Sequence, residues 1–176
     1  MVKKVDLENF EVKLDKALSS DIYIRLLETL KNKNKIILLG NGGNLSVCEH
    51  GAADLREYVK NKNFISPTSL TQMTAYLSSG DSSEIYCKWL SDTIRGYNFE
   101  DCLLICVTTT GMNSSIRKAQ ELAERLQIES FTLSAMPCET KNNISFGVKY
   151  YHTAELLTLA LFYDIAARES DLKKIN

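Results

Sequence analysis

Two short segments of this chain carry residues able to hold an anion without a formal positive charge. Gly40-Asn-Gly-Gly-Asn44 follows the apolar run Ile36–Leu39, and Thr108-Thr-Thr-Gly-Met-Asn-Ser-Ser115 follows the apolar run Cys102–Val107. Gly40, Gly42 and Gly43 let backbone N–H groups come close to a ligand, and they tolerate positive φ. Thr108, Thr109, Thr110, Ser114 and Ser115 add hydroxyl donors, and a helix start after each segment adds the positive end of a dipole. That combination suits a phosphate. The competing reading is that the glycines only turn the chain and the hydroxyls only cap a helix, and finding two such loops in one domain counts against it. Nucleotide motifs fit less well. Neither loop has the lysine of a Walker sequence, and the bulky Leu45 stands where a dinucleotide fingerprint needs its third glycine.

Each loop needs a strand to deliver it and a helix to receive it. Apolar residues at helical spacing follow both: Leu45, Val47, Cys48, Ala52 and Leu55 after the first, and Ile116, Ala119, Leu122, Ala123 and Leu126 after the second. Further strands are expected at 64–70, 130–134 and 144–148, and helices at 82–95 and 153–167. Residues 5–30 read as two helices or one bent helix, with Ser19-Ser20-Asp21 resembling a break and a new N-cap. Continuous apolar strands alternating with helices indicate an α/β fold, a three-layer αβα sandwich around a central, mainly parallel sheet with helices leading in at the N-terminus. In such a sheet, ligands sit beyond the carboxyl ends of the strands, where both loops fall.

Composition narrows the classes. The 176 residues carry a formal net charge of −1, with 44% hydrophobic residues, eight glycines and two prolines. One folded domain spanning 1–176 is expected, with no electrostatic footprint for nucleic acid or an anionic membrane. No apolar run approaches the length of a membrane span. Asp6, Glu8, Glu11 and Asp15 occupy the stretch where a secretion signal would be apolar. The five cysteines, Cys48, Cys87, Cys102, Cys106 and Cys138, contain no CxxC pair, so reduced thiols and a cytoplasmic location are expected.

The two loops in this order resemble the sugar isomerase (SIS) domains, specifically their phosphoheptose isomerase branch. Gly40-Asn-Gly-Gly-Asn44 with His50 six residues on is similar to that family's GNGGS…H segment, and Thr108-Thr-Thr-Gly-Met-Asn-Ser to its STSGNS phosphate loop. Ser79-Gly80-Asp81 falls where the family places an Asn-Asp pair that reaches the substrate. The resemblance covers nearly the whole chain. It implies a homotetramer with sugar-phosphate sites at subunit interfaces, the helical segment 1–34 serving in oligomer packing. It also implies an aldose–ketose isomerisation through an enediol, run by a carboxylate and a histidine, often beside zinc. Phosphate would be held by Asn41, Gly42, Gly43 and Asn44, with Thr108, Thr109, Thr110, Asn113 and Ser115, and Asp81 would reach the sugar. Asp54 would be the base and His50 an orienting group. Their i, i+4 spacing puts both on one helix face.

The chain departs from the family at several of these positions. Asp54 stands where the family has Glu, and Asn44 and Asn113 where serines are usual. The Gln and His of the family's last helix fall on Ala154 and Phe162, which can neither ligate a metal nor carry a proton. No metal and no cofactor are therefore expected, and the proton donor is unassigned. Other readings of single residues stay open. His50 can be an ordinary surface or core histidine, Asp54 a solvated helix carboxylate, Asp81 a simple N-cap, and Glu155 a partner of His152. The expected function is a phosphoheptose isomerase-like isomerase acting on sedoheptulose 7-phosphate or a related sugar phosphate. The alternative is a catalytically impaired SIS scaffold that binds a protein partner, of the kind that associates with the bacterial replication initiator.

Overall fold

A computed structural model describes residues 7–69, 72–73 and 81–169. The N-terminal residues form two helices, α1 (Phe10–Leu18) and α2 (Asp21–Lys31), and the Ser20 hydroxyl accepts the Tyr23 N–H as the N-cap of α2. There follow β1 (Lys35–Gly40), α3 (Gly43–Tyr58), β2 (Asn63–Ile65) and α4 (Ile85–Ile94), the last entered through a 3₁₀ turn at Ser82–Glu84. The chain continues with β3 (Cys102–Thr108), α5 (Ser114–Arg125), β4 (Glu129–Ser134), β5 (Asn143–Ser145) and α6 (Tyr151–Glu169).

The five strands are all parallel in the order β2-β1-β3-β4-β5, so the fold is the expected α/β sandwich. Alternating side chains of the same strands serve the two layers. Ile36, Leu38, Leu103 and Ile105 face a core shared with α2, α3 and α6, whereas Ile37, Leu39, Leu104 and Cys106 face α4 and α5. Burial on both faces explains why β1 and β3 read as unbroken apolar runs.

Two strands are shorter than their apolar runs. β2 stops at Ile65 because Pro67, just beyond, has no N–H to offer a ladder; Leu70, the expected end, lies outside the described residues. β5 ends at Ser145, ahead of Gly147 at φ +63°, although Phe146 and Val148 still donate to the β4 side at 2.9 and 2.8 Å.

The N-terminal helices are fastened to their own chain. Tyr23, Leu26 and Leu30 are buried, and the Tyr23 phenol donates to Asp164 of α6 at 2.5 Å. All five cysteines are free, and burial pushes the Cys48 and Cys106 thiols well up, which makes them poor nucleophiles. Among the described residues, no helix is long and apolar enough to cross a membrane.

Candidate functional site

The sheet order places the two loops. The chain leaves β1 toward β2 on one side, then returns across β1 to lay β3 on the other. The loops after β1 and β3 therefore diverge to opposite layers from adjacent strand ends, with Gly40 registered against Val107. The crevice at such a reversal is where open parallel sheets bind ligands. The cavity there is about 320 Å³, lined by Asn41 and Asn44 from the first turn and by Thr108, Thr109, Thr110 and Asn113 from the second. A hydrogen bond from Asn41 Nδ2 to Ser115 Oγ, 3.4 Å, ties one turn to the other.

The first turn is tight for identifiable reasons. A Cβ on Gly40 would lie 2.6 Å from the Asn44 backbone carbonyl carbon and oxygen, so any side chain there would push β1 away from the start of α3. Gly42 is the N-cap of α3 at φ +56° and offers no side-chain cap; the turn closes on its own backbone, with the Asn44 N–H donating to the Asn41 carbonyl at 3.1 Å and the Leu45 N–H to the Gly42 carbonyl at 3.0 Å. Behind the turn, the Tyr86 phenol of α4 donates a short hydrogen bond to the Gly40 carbonyl, and burial pushes its ionisation up. No local signal marks Tyr86, which comes from an element 46 residues further along.

In the second turn, several of the expected phosphate donors also build the loop. Thr108 Oγ1 accepts the Gly111 N–H at 3.2 Å, with Gly111 at φ +74° against Cys138. Asn113 is the N-cap of α5: its Oδ1 accepts from the Ser115 and Ile116 N–H groups and, at 2.7 Å, from the Ser115 hydroxyl. Thr110 is exposed and Thr109 half-buried at the mouth.

Asp81 stands apart from this crevice. It caps the 3₁₀ turn through the Ser83 N–H at 2.9 Å and pairs with Lys118 at 3.2 Å. Its hydrogen bonds from Ser83, with Lys118 next, hold the carboxyl down at about 2. The N-cap reading describes it, and it does not line the cavity. Ser79 and Gly80 lie outside the described residues.

His50 and Asp54 do come together, further along α3. His50 Nε2 lies 3.3 Å from Asp54 Oδ2, and both touch a residue the sequence reading had not singled out, Tyr163 of α6. At 1.5 Å rise per residue, Asp54 is about 15 Å along the helix axis from Asn44. Within one chain, the phosphate crevice and this group are separate.

The Tyr163 phenol donates to Asp54 at 2.6 Å; that bond, then partial burial and the carboxylate's charge, push its ionisation up to about 12. Replacing Asp54 by Asn removes the charge, so the Tyr163 ionisation is expected to fall back toward the ordinary value of about 10. Carbon-13 NMR of ring-labelled tyrosine, assigned with Tyr163→Phe, measures it.

The zinc that the family resemblance implies does not fit the side chains on α6. Ala154 and Phe162 are buried in the core, and a Cβ on Gly51 of α3 would meet the Phe162 ring at 2.4 Å. The Glu155 carboxylate reaches over Gly43 rather than toward His152, which stacks on Tyr150 with ring centroids 5.6 Å apart. Among the described residues, no group of three or more His, Cys, Asp and Glu side chains could hold a metal.

A second, larger cavity of about 490 Å³ opens beside the amino end of β4. Its lining mixes both charges, among them Arg25, Arg117, Glu121 and Glu129, and Arg25 is already engaged by Glu129 at 2.9 Å. The smaller crevice is lined by neutral amide and hydroxyl side chains and Val107, with no charged residue in its lining.

No family model matches the chain. Its sequence is 28% identical over 135 residues to a phosphoheptose isomerase of Helicobacter pylori, covering 76% of this chain and 70% of that protein. A phosphoheptose isomerase from a second strain of the same organism is 30% identical over 110 residues, covering 62% of this chain and 57% of its own length, so the chain spans little more than half of that relative. Among solved structures, the phosphoheptose isomerase of Neisseria gonorrhoeae shares the fold with a TM-score of 0.73 at 16% identity, over 92% of this chain and 91% of that one. The sequence relatives and the shared fold agree with the resemblance carried by the two loops, which is to the phosphoheptose isomerase-like branch of the SIS proteins.

Proposed function

We propose that this protein is a cytoplasmic sugar-phosphate isomerase of the phosphoheptose type, interconverting the aldose and ketose forms of sedoheptulose 7-phosphate or a related sugar. The observation that carries the reading is the crevice between adjacent strand ends, lined by the Asn41, Asn44, Thr108, Thr109, Thr110 and Asn113 side chains with Val107, and tied across by Asn41 and Ser115. A phosphate held there needs no lysine.

The reaction moves two protons and no net electrons. A base removes the hydrogen on the carbon beside the carbonyl, giving an enediol, and the proton returns to the neighbouring carbon while a hydroxyl proton passes to the old carbonyl oxygen. Asp54 is the base in this proposal and His50 orients it. No metal and no organic cofactor enters the reading.

The site is completed by a second copy of the chain in a homo-oligomer, a tetramer by family resemblance. Two features support this. Along α3, His50 and Asp54 stand about 9 and 15 Å from Asn44 of the phosphate crevice. On α6, Leu156 and Tyr163 leave large hydrophobic side chains exposed, Tyr163 against that pair.

Turnover of sedoheptulose 7-phosphate, with binding followed by calorimetry, tests the reading. Ser115→Ala, which removes the hydroxyl joining Asn41 to Asn113, is expected to weaken binding roughly tenfold, the worth of one or two hydrogen bonds. Binding with no turnover is what a protein-binding scaffold would give, and it would end the isomerase reading.

A further inference from the structure

The position the family gives to a zinc-binding histidine is Phe162, turned into the core against Gly51. One residue on, the helix has rotated by about 100°, and Tyr163 emerges on the outer face beside α3. Its phenol oxygen lies 2.6 Å from Asp54 Oδ2 and 3.2 Å from His50 Nε2, while His50 Nε2 is 3.3 Å from the same carboxylate oxygen. The three side chains close a triangle on the exposed seam between α3 and α6.

The chemistry of the three groups sets the direction of the bonds. An ionised carboxylate can only accept, so the single phenol proton goes to Asp54. The phenol oxygen can then serve His50 only as an acceptor, which requires the imidazole proton on Nε2. The chain of donors runs from His50 through Tyr163 to Asp54.

We propose that Tyr163 is a positioning residue that takes over the organising role of a metal in this chain. It occupies Asp54 Oδ2, leaves Oδ1 as the oxygen that meets the substrate, and holds the His50 ring in its Nε2–H form. Its use in catalysis rests on the isomerase reading; its existence as a hydrogen-bonded unit does not.

Tyr163→Phe keeps the ring and the helix face and removes one oxygen. In nitrogen-15 histidine NMR, the chain's two histidines give a built-in control. The His50 Nε2 signal is expected to show the protonated form in the wild type and to move in the variant, with His152 unchanged. After equilibration with zinc and dialysis, both proteins are expected to retain far less than one zinc per chain. With sedoheptulose 7-phosphate, kcat should fall by about 10- to 100-fold while KM stays within about twofold, the pattern of lost transition-state positioning rather than lost binding.

An unmoved His50 signal, stoichiometric zinc that disappears in Tyr163→Phe, or an unchanged kcat in an active enzyme would each overturn the assignment. A wild type that does not turn over would end the isomerase reading alone. The imidazole and zinc measurements would then still decide for or against Tyr163.

Discussion

Asp54→Asn is expected to lower kcat for sedoheptulose 7-phosphate by about 10²- to 10⁴-fold, the usual worth of a positioned general base. Asparagine has nearly the same shape as aspartate and its carbonyl can still accept from Tyr163, so the α3–α6 seam should stay closed. What it lacks is a basic oxygen for the carbon-bound proton. The phosphate crevice lies about 15 Å along the helix from this residue, so substrate affinity should change little. Initial-rate kinetics with calorimetric binding on the same preparation separate the two effects. Equal losses of binding and turnover would point to a disturbed fold, and full activity would remove Asp54 from the reaction.

The largest expected effect on stability comes from Phe162. Its ring is 2% exposed and lies against Gly51, at a point where a Cβ on α3 would clash at 2.4 Å. The missing side chain on one helix and the large one on the other fit as a pair. Truncation to alanine leaves a ring-sized void between α3 and α6 and should cost about 3–5 kcal/mol. Urea unfolding would show it as a lower midpoint at an unchanged slope. Phe162→His tests the same geometry from the chemical side. Restoring the family's residue would press an imidazole into apolar packing, where a polar group without a partner destabilises the fold. Zinc binding should not return, because Ala154, buried about two turns earlier on α6, cannot ligate.

Ala154 and Phe162 stand where the resemblance puts a ligating Gln and His, and both are buried in apolar packing. The α3–α6 contact has gained an apolar ring exactly one residue before a phenol that reaches the His50–Asp54 pair. The core and the proposed proton-handling group are therefore built from neighbouring residues of one helix. Mutations that loosen Phe162 should also misplace Tyr163, so their kinetic effects have to be measured under conditions in which the variant is fully folded.

Much of the architecture was legible in the sequence, because it rests on local pattern. The unbroken apolar runs at 36–39 and 102–107 require strands covered on both faces, and the glycine and hydroxyl clusters that follow can only be turns into helices. What local pattern could not give was adjacency. That β1 and β3 are neighbours, with their turns joined by Asn41 and Ser115, is set by the strand order of the sheet. Asp81 reads equally well as a substrate ligand or a cap until Ser83 and Lys118 are seen to hold it. Tyr86 and Tyr163 reach the loops and the His50–Asp54 pair across 46 and 109–113 residues of chain. A side chain's partner at such a separation depends on how layers pack, and no spacing rule along the chain encodes it.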